Sequence, residues 1–228
     1  MRRALRGLSS VLIMTGVLLV LDAAVTLLWQ EPVTAIYAQI RQDKLGGDLK
    51  RLDRVTPTPE EAKVLELLHA DRARIAFLAR SMRRRAHDGQ AIGRIRIPRI
   101  GAGYVMVEGT GAGTLRKGPG HYPATPFPGM PGTVAVAGHR TTYLAPFKAL
   151  DQLRKGDTVE LEMPYATITY RVEQSRIVPP TALWVTRRVG YDRLVMTACD
   201  PKFSAAQRIA VFARQVGEVE SGSSARIR

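Results

Sequence analysis

A single cysteine in 228 residues excludes an intrachain disulfide framework and a cysteine-rich zinc site. Acidic residues are scarce as well: 20 Asp and Glu stand against 34 Lys and Arg, for a formal charge of +14 at pH 7. No acidic cluster has the spacing of a calcium loop, so neither a metal nor a cofactor is expected. Internal repeats are absent, and the only low-complexity tract is Ser221-Gly222-Ser223-Ser224. What is present suits a folded protein. Apolar residues at 45% and charged residues at 24% argue against wholesale disorder and provide for one mid-sized domain with extensions. The positive balance leaves a basic soluble domain, a nucleic-acid binder, or a chain tethered beside an anionic surface.

The N-terminus separates these. Arg2, Arg3 and Arg6 precede an apolar run from Leu8 to Trp29, interrupted only by small polar residues and Asp22. About 20 apolar residues cross the hydrocarbon core as a helix, so the run is long enough. An acid at the bilayer centre costs ~2.5–3.5 kcal/mol on insertion scales, which the surrounding Leu, Val and Ile offset. The arginines before the run, with Gln30 and Glu31 behind it, put residues 1–7 in the cytoplasm and everything after Trp29 outside. A cleaved signal peptide is the rival reading. Its apolar core would stop after ~7–15 residues at a small-x-small site, whereas Val25, Leu27, Leu28 and Trp29 continue past Ala23 and Ala24. Both readings export the remainder. Arg83-Arg84-Arg85 is therefore a solvated helix end or a contact with acidic lipid or wall polymer, not a nucleic-acid patch.

Residues 30–91 form a helical membrane-proximal segment, with breaks expected at Gly46-Gly47 and at Thr56-Pro57-Thr58-Pro59. Thr58, Pro59 and Glu61 combine a Thr N-cap, Pro at the first helical position and Glu three residues after the cap. Apolar residues then recur at helical spacing from Val64 to Met82. His69 and His87 in this segment read as solvent-facing. From Ile92 the texture changes to short alternating runs divided by Gly and Pro, as at Ile95/Ile97, Val159/Leu161, Ile168/Tyr170/Val172 and Ile209/Val211/Ala213. Period-two patterning of this kind predicts an all-β barrel or sandwich of about eight strands over residues 92–217, with a helical turn near Pro146–Leu153. Residues 218–228 read as a disordered tail.

An exported thiol meets oxidants, so Cys199 needs a reason to be there. A buried small apolar residue at the end of the strand Leu194–Thr197 is one reason. His139 closes a second strand-like run, Thr133 to Gly138, and Arg208 opens a third after a turn-forming stretch. Thiol, imidazole and guanidinium at three strand ends suit nucleophilic acyl transfer: attack by thiolate, protonation of the leaving amine by imidazolium, and stabilisation of the oxyanion by guanidinium. With ordinary pKa values, pH 7 gives ~3% thiolate and ~24% imidazolium, so the reactive ion pair is a minor population unless proximity favours it.

Gly118-Pro-Gly-His-Tyr-Pro, Pro128-Gly-Met-Pro-Gly-Thr, Ala137-Gly-His-Arg-Thr-Thr-Tyr and Thr197-Ala-Cys-Asp-Pro-Lys-Phe-Ser, followed by Arg208, resemble the sortase family of Gram-positive cell-wall transpeptidases. Class E of the actinobacteria is the nearest type. The resemblance implies an eight-stranded sortase-type β-barrel with His139, Cys199 and Arg208 as the active site. It also implies cleavage of an LPXTG- or LAXTG-like sorting signal between Thr and Gly through a Cys thioester. The acyl group then passes to an amine on lipid II, or to a pilin lysine in the pilus-building relatives. Partners would be secreted proteins bearing that signal, and the enzyme would sit in the cell membrane by a single pass. His121 and Tyr122, Arg140 and Thr141, and Thr197 and Ala198 are candidates for the groove that takes the signal. At the nucleophile the family commonly reads Thr-Leu-x-Thr-Cys; here Ala198 replaces the second threonine and removes a hydroxyl. Asp200 is either a third group orienting His139 or a turn carboxylate, and Asp157 is a turn residue. A peptidoglycan L,D-transpeptidase would want a Ser-x-Gly-Cys-x-Arg setting that this chain lacks. A non-catalytic membrane-anchored binding module is the remaining alternative.

Overall fold

The computed structural model describes residues 2–29, 32–52 and 57–220. α1 (Arg2–Trp29) carries Leu, Val and Ile side chains that face outward from Leu8 to Leu21, and Gly7–Ala24 is long and apolar enough to cross a membrane. α2 (Pro32–Leu52) continues through Gly46 and Gly47, so the expected break there is corrected. Tertiary docking overrides the glycines' poor propensity. Ala38, Gln42, Leu45 and Leu49 form a buried stripe, and Leu45 and Leu49 pack on Ala91, Val105 and Val107 of the barrel.

α3 (Pro59–Leu67) opens as its sequence predicts, with Thr58 and Glu61 completing a reciprocal capping box. Of the second expected break, residue 56 lies outside the described residues. The helical periodicity running to Met82 is divided between α3 and α4 (Asp71–Arg85) by an interruption at residues 68–70. Arg74 bridges it. Its Nη1 donates to the Leu65 carbonyl of α3 (2.7 Å), while Nε and Nη2 grip the Glu220 carboxylate (3.0 and 3.2 Å). His69 and His87 are exposed.

The barrel has eight strands: β1 (Ala91–Ile97), β2 (Ala102–Glu108), β3 (Gly120–His121), β4 (Thr133–Ala137), β5 (Thr158–Met163), β6 (Ala166–Val178), β7 (Arg193–Asp200) and β8 (Gln207–Glu220). They close in the order β1-β2-β3-β4-β7-β8-β6-β5. Alternation does the sorting: Val159, Leu161 and Met163 of β5 and Ile168, Tyr170 and Val172 of β6 point inward with Ile95, Met106, Val136, Met196 and Val211. A short helix, α5 (Ala112–Leu115), links β2 to β3, and the expected turn near Pro146–Leu153 is a single turn at Leu150–Gln152. Asp157 accepts from the Arg154 N–H (2.8 Å), as a turn residue does. β8 runs to Glu220, beyond the expected barrel end at 217, because Gly217, Glu218, Val219 and Glu220 pair with Thr169 to Ala166 of β6. Residues 221–228 of the expected tail lie outside the described residues.

Candidate active site

Cys199 on β7 stands directly opposite Arg208 on β8. Residues opposed across an antiparallel pair project from one face with Cβ atoms about 4.5–5.5 Å apart, so thiol and guanidinium are neighbours by register. On the other side of β7, β4 runs parallel to it and in register up to Ala137↔Thr197. The Gly138 N–H continues that ladder onto the Thr197 carbonyl (3.0 Å). Ala137, Thr197 and Cys199 share a face, and His139 follows two residues after Ala137, just past the end of β4. That face is the outer one. Leu194, Met196 and Ala198 fill the barrel interior, whereas Val195 packs outward with Ala135, Val178, Ala182, Val185, Ala210 and Phe212.

His139 is half-buried, and its Nε2 is enclosed with no hydrogen-bond partner among the described residues. Its ring rests against Tyr143 (centroids 5.1 Å apart), and its carbonyl accepts from the Phe147 N–H (3.1 Å). Burial first, and then the Arg116 charge, hold the imidazole below its usual pKa. The neutral ring is therefore favoured. Arg208 ties its Nη1 to the carbonyls of Ala205 and Gln207 (3.0 and 2.9 Å), which orients the fork and leaves its other donors without partners among the described residues.

The groove candidates divide. Tyr122 donates or accepts a hydrogen bond between its OH and Thr197 Oγ1 (2.9 Å), so both lie on the outer face of β7 near the cysteine. Thr141 sits half-buried in the loop after His139. His121 is 1% exposed, with Nδ1 on Glu108 (2.8 Å) and Nε2 near the Pro126 carbonyl and Thr125 Oγ1 (3.0 and 3.1 Å). It is a buried fastener of the β3–β4 connection. Arg140 is buried likewise. It is 5% exposed, contacts Asp200 through Nη1 and Asp151 through Nη2 (3.0 Å), and donates to the Cys199 carbonyl (3.3 Å). Arg140 thus straps the end of β4 to the end of β7 from behind, and Asp200 serves that strap rather than His139. Ala198 faces the core, so the hydroxyl it lacks is not missing from the groove.

Gly138 has a packing reason to be glycine: an added Cβ would lie 2.6 Å from the Phe147 ring. Gly138→Ala is expected to cost about 1–3 kcal/mol by overpacking, and to move His139 with the backbone. Denaturant titration and the rate of acylation of Cys199 would register the two effects separately. Tyr143, Leu144 and Ala145 in the same loop have φ of 51°, 65° and 41°. Such left-handed backbone costs non-glycine residues of order 1–3 kcal/mol each. Sequence reading passed over these residues, and over Arg116 and Gln42. A glutamine at an apolar position of the α2 stripe was the available signal for the last.

With the geometry in place, comparison with known proteins is informative. Residues 95–216 match the sortase domain family. Sortase D of Bacillus subtilis is 35% identical over 134 residues, covering 56% of this chain and 65% of that protein. The chain thus spans somewhat under two thirds of that relative's length. Sortase E from Streptomyces avermitilis is 34% identical at a TM-score of 0.54, over 59% of this chain and 93% of that structure. A Clostridium perfringens sortase D5 transpeptidase shares the fold at a TM-score of 0.62 and 21% identity, over 78% of this chain and 99% of that one.

Proposed function

We propose a reaction for this chain from one premise: it belongs to the sortase family of cysteine transpeptidases. In the proposal, Cys199 is the nucleophile, His139 the proton carrier and Arg208 the oxyanion donor. The observation that supports it is register: Cys199 faces Arg208 across β7–β8, and His139 follows β4, which runs parallel beside β7.

The Cys199 thiol gives its proton to His139, and the sulfur attacks the carbonyl carbon of Thr in the sorting signal. The carbonyl electron pair moves onto oxygen beside Arg208, where a guanidinium meets the charge as it develops. Collapse breaks the Thr–Gly bond, the proton on His139 departs with the glycine amine, and the acyl group remains as a thioester. An amine, that of lipid II in this reading, then attacks the thioester. The new amide C–N bond forms as the C–S bond breaks, and the proton lost by the attacking amine passes through His139 to the sulfur, restoring the thiol. Because burial and the Arg116 charge favour neutral His139, the imidazolium that protonates the leaving amine has to form at the expense of the resting ring.

The substrate class is an LPXTG- or LAXTG-like signal at the end of a secreted protein. The outer face of β7, with Tyr122 and Thr197 beside the cysteine, supports a peptide lying along the strand. The outward-facing apolar side chains of α1 support a single-pass anchor that holds the barrel on the extracytoplasmic side. The test is intact-mass measurement of the detergent-solubilised full chain after incubation with a small library of sorting-signal peptides. An acyl adduct on Cys199, released by an added amine, is the expected result. Failure of every peptide to leave an adduct would overturn the reading.

A further inference from the structure

β2 runs from Ala102 to Glu108, but its neighbour β3 pairs only with Val107 and Glu108. Along the rest of that edge Val105 has no partner strand. Gln42 of α2 takes the strand's place. Its Oε1 accepts from the Val105 N–H (2.7 Å), and its Nε2 donates to the Val105 carbonyl (3.0 Å) and the Lys117 carbonyl (2.7 Å). One buried side-chain amide pairs with β2 as a peptide group would. Glycine at 118 makes the approach possible, since a Cβ there would lie 2.3 Å from Nε2 and 2.7 Å from the Val105 carbonyl.

Two contact chains lead from this anchor to His139. Lys117 follows Arg116, whose guanidinium lies over the Tyr143 ring (5.7 Å), and that ring packs on His139 (5.1 Å). Tyr104, beside Val105, donates its OH to the Leu144 carbonyl (3.3 Å). Both chains end in the left-handed run 143–145, a backbone that persists only where its surroundings over-determine it.

We propose that Gln42 is a positioning residue for His139: α2, docked on the free edge of β2, fixes the Lys117 and Tyr104 supports of the loop that carries the histidine. This rests on His139 being the proton carrier. The groups that bear on its ring are Arg116 from the end of α5 and Tyr143 from its own loop; beyond them Cys199 lies on β7, the neighbour of the strand that leads into His139, and Arg208 stands opposite Cys199 on β8. Arg140 faces away, onto Asp151 and Asp200. Releasing the 116–118 turn therefore removes positive charge from His139, and its protonation moves to higher pH.

Gln42→Leu keeps the volume and deletes the amide. In the full-length protein it is expected to lower kcat/KM for thioester formation on the order of tenfold, within the about hundredfold that a 1 Å misplacement can cost. The loss should fall on kcat, and the acid limb of the pH profile should move upward. Arg116→Gln, at an exposed position, should move the limb the same way without lowering Tm. Ile168→Val, in the barrel core, should lower Tm and leave the limb in place. A folded Gln42→Leu protein with wild-type rate and wild-type limb would overturn the inference. Should that variant not fold, an unmoved limb in both Arg116→Gln and Tyr143→Leu would overturn it equally. If the wild-type chain forms no thioester, the proton-carrier reading fails on its own account. Positioning is then read from the NMR titration of the His139 ring in Cys199→Ala protein with and without Gln42→Leu, where identical curves sink it.

Discussion

Cys199→Ala is expected to abolish thioester formation outright, whereas Arg208→Ala should leave a slow enzyme that still acylates. The difference follows from what each group does. Without the sulfur no acyl bond can form, and no other cysteine exists in the chain to substitute for it. Without the guanidinium the tetrahedral oxyanion loses a preorganised donor, and loss of one such donor costs about 10²–10³ in kcat. His139→Ala should fall between them, since positioned proton transfer contributes about 10²–10⁴. Arg208→Lys is expected to rescue little. Part of the fork is committed to the carbonyls of Ala205 and Gln207, and an ammonium cannot hold that anchor while also aiming donors at substrate. Single-turnover acylation followed by intact mass orders the variants. Normal peptide cleavage by Cys199→Ala would dismantle the mechanism.

Some of this was legible in the residues, and the physical reason for each success or failure is specific. Period-two alternation marked β1, β5, β6 and β8 because one face of each strand is buried in the barrel. β3 was invisible: a pairing of Gly120 and His121 is too short to carry a period. The break between α3 and α4 was hidden because apolar spacing continues across it, and the Arg74–Glu220 contact that holds the second helix is distant in sequence. Gly46 and Gly47 misled in the opposite sense, since local propensity yields to a docked helical face. Around the cysteine, sequence identified strand ends but not which way side chains point. Arg140 and His121 are polar residues beside the histidine and inside a family motif, yet both are buried fasteners whose carboxylate partners lie 11 to 60 positions away in sequence for Asp151 and Asp200 and 13 for Glu108. Ala198 looked like a lost contact until alternation turned it into the core.

The largest expected effect on stability lies far from the cysteine. Arg74 and Glu220 form an ion pair whose side chains are 5% and 1% exposed. Removing one member of such a pair leaves the other charged and buried, and typically costs about 3–5 kcal/mol. Arg74→Leu does more than remove the ion pair to Glu220, because it also strips the donor from the Leu65 carbonyl where α3 ends. Denaturant titration should show that loss in the midpoint at unchanged slope. Glu220→Leu alone removes the carboxylate from the buried guanidinium and should cost a similar amount. The double variant separates charge from packing: with both charges gone, apolar side chains of similar volume can occupy the site, and much of the loss should be recovered. A chain shortened to end at 217, where the sequence pattern alone would place the barrel's edge, removes Glu220 together with the Ala166↔Glu220 end of the β6–β8 ladder. It should be destabilised at least as much as Glu220→Leu. Should the shortened chain match the full-length midpoint, the pair contributes nothing net, and α3 and α4 are held to the barrel by their other contacts, Arg72 to Asp192 among them.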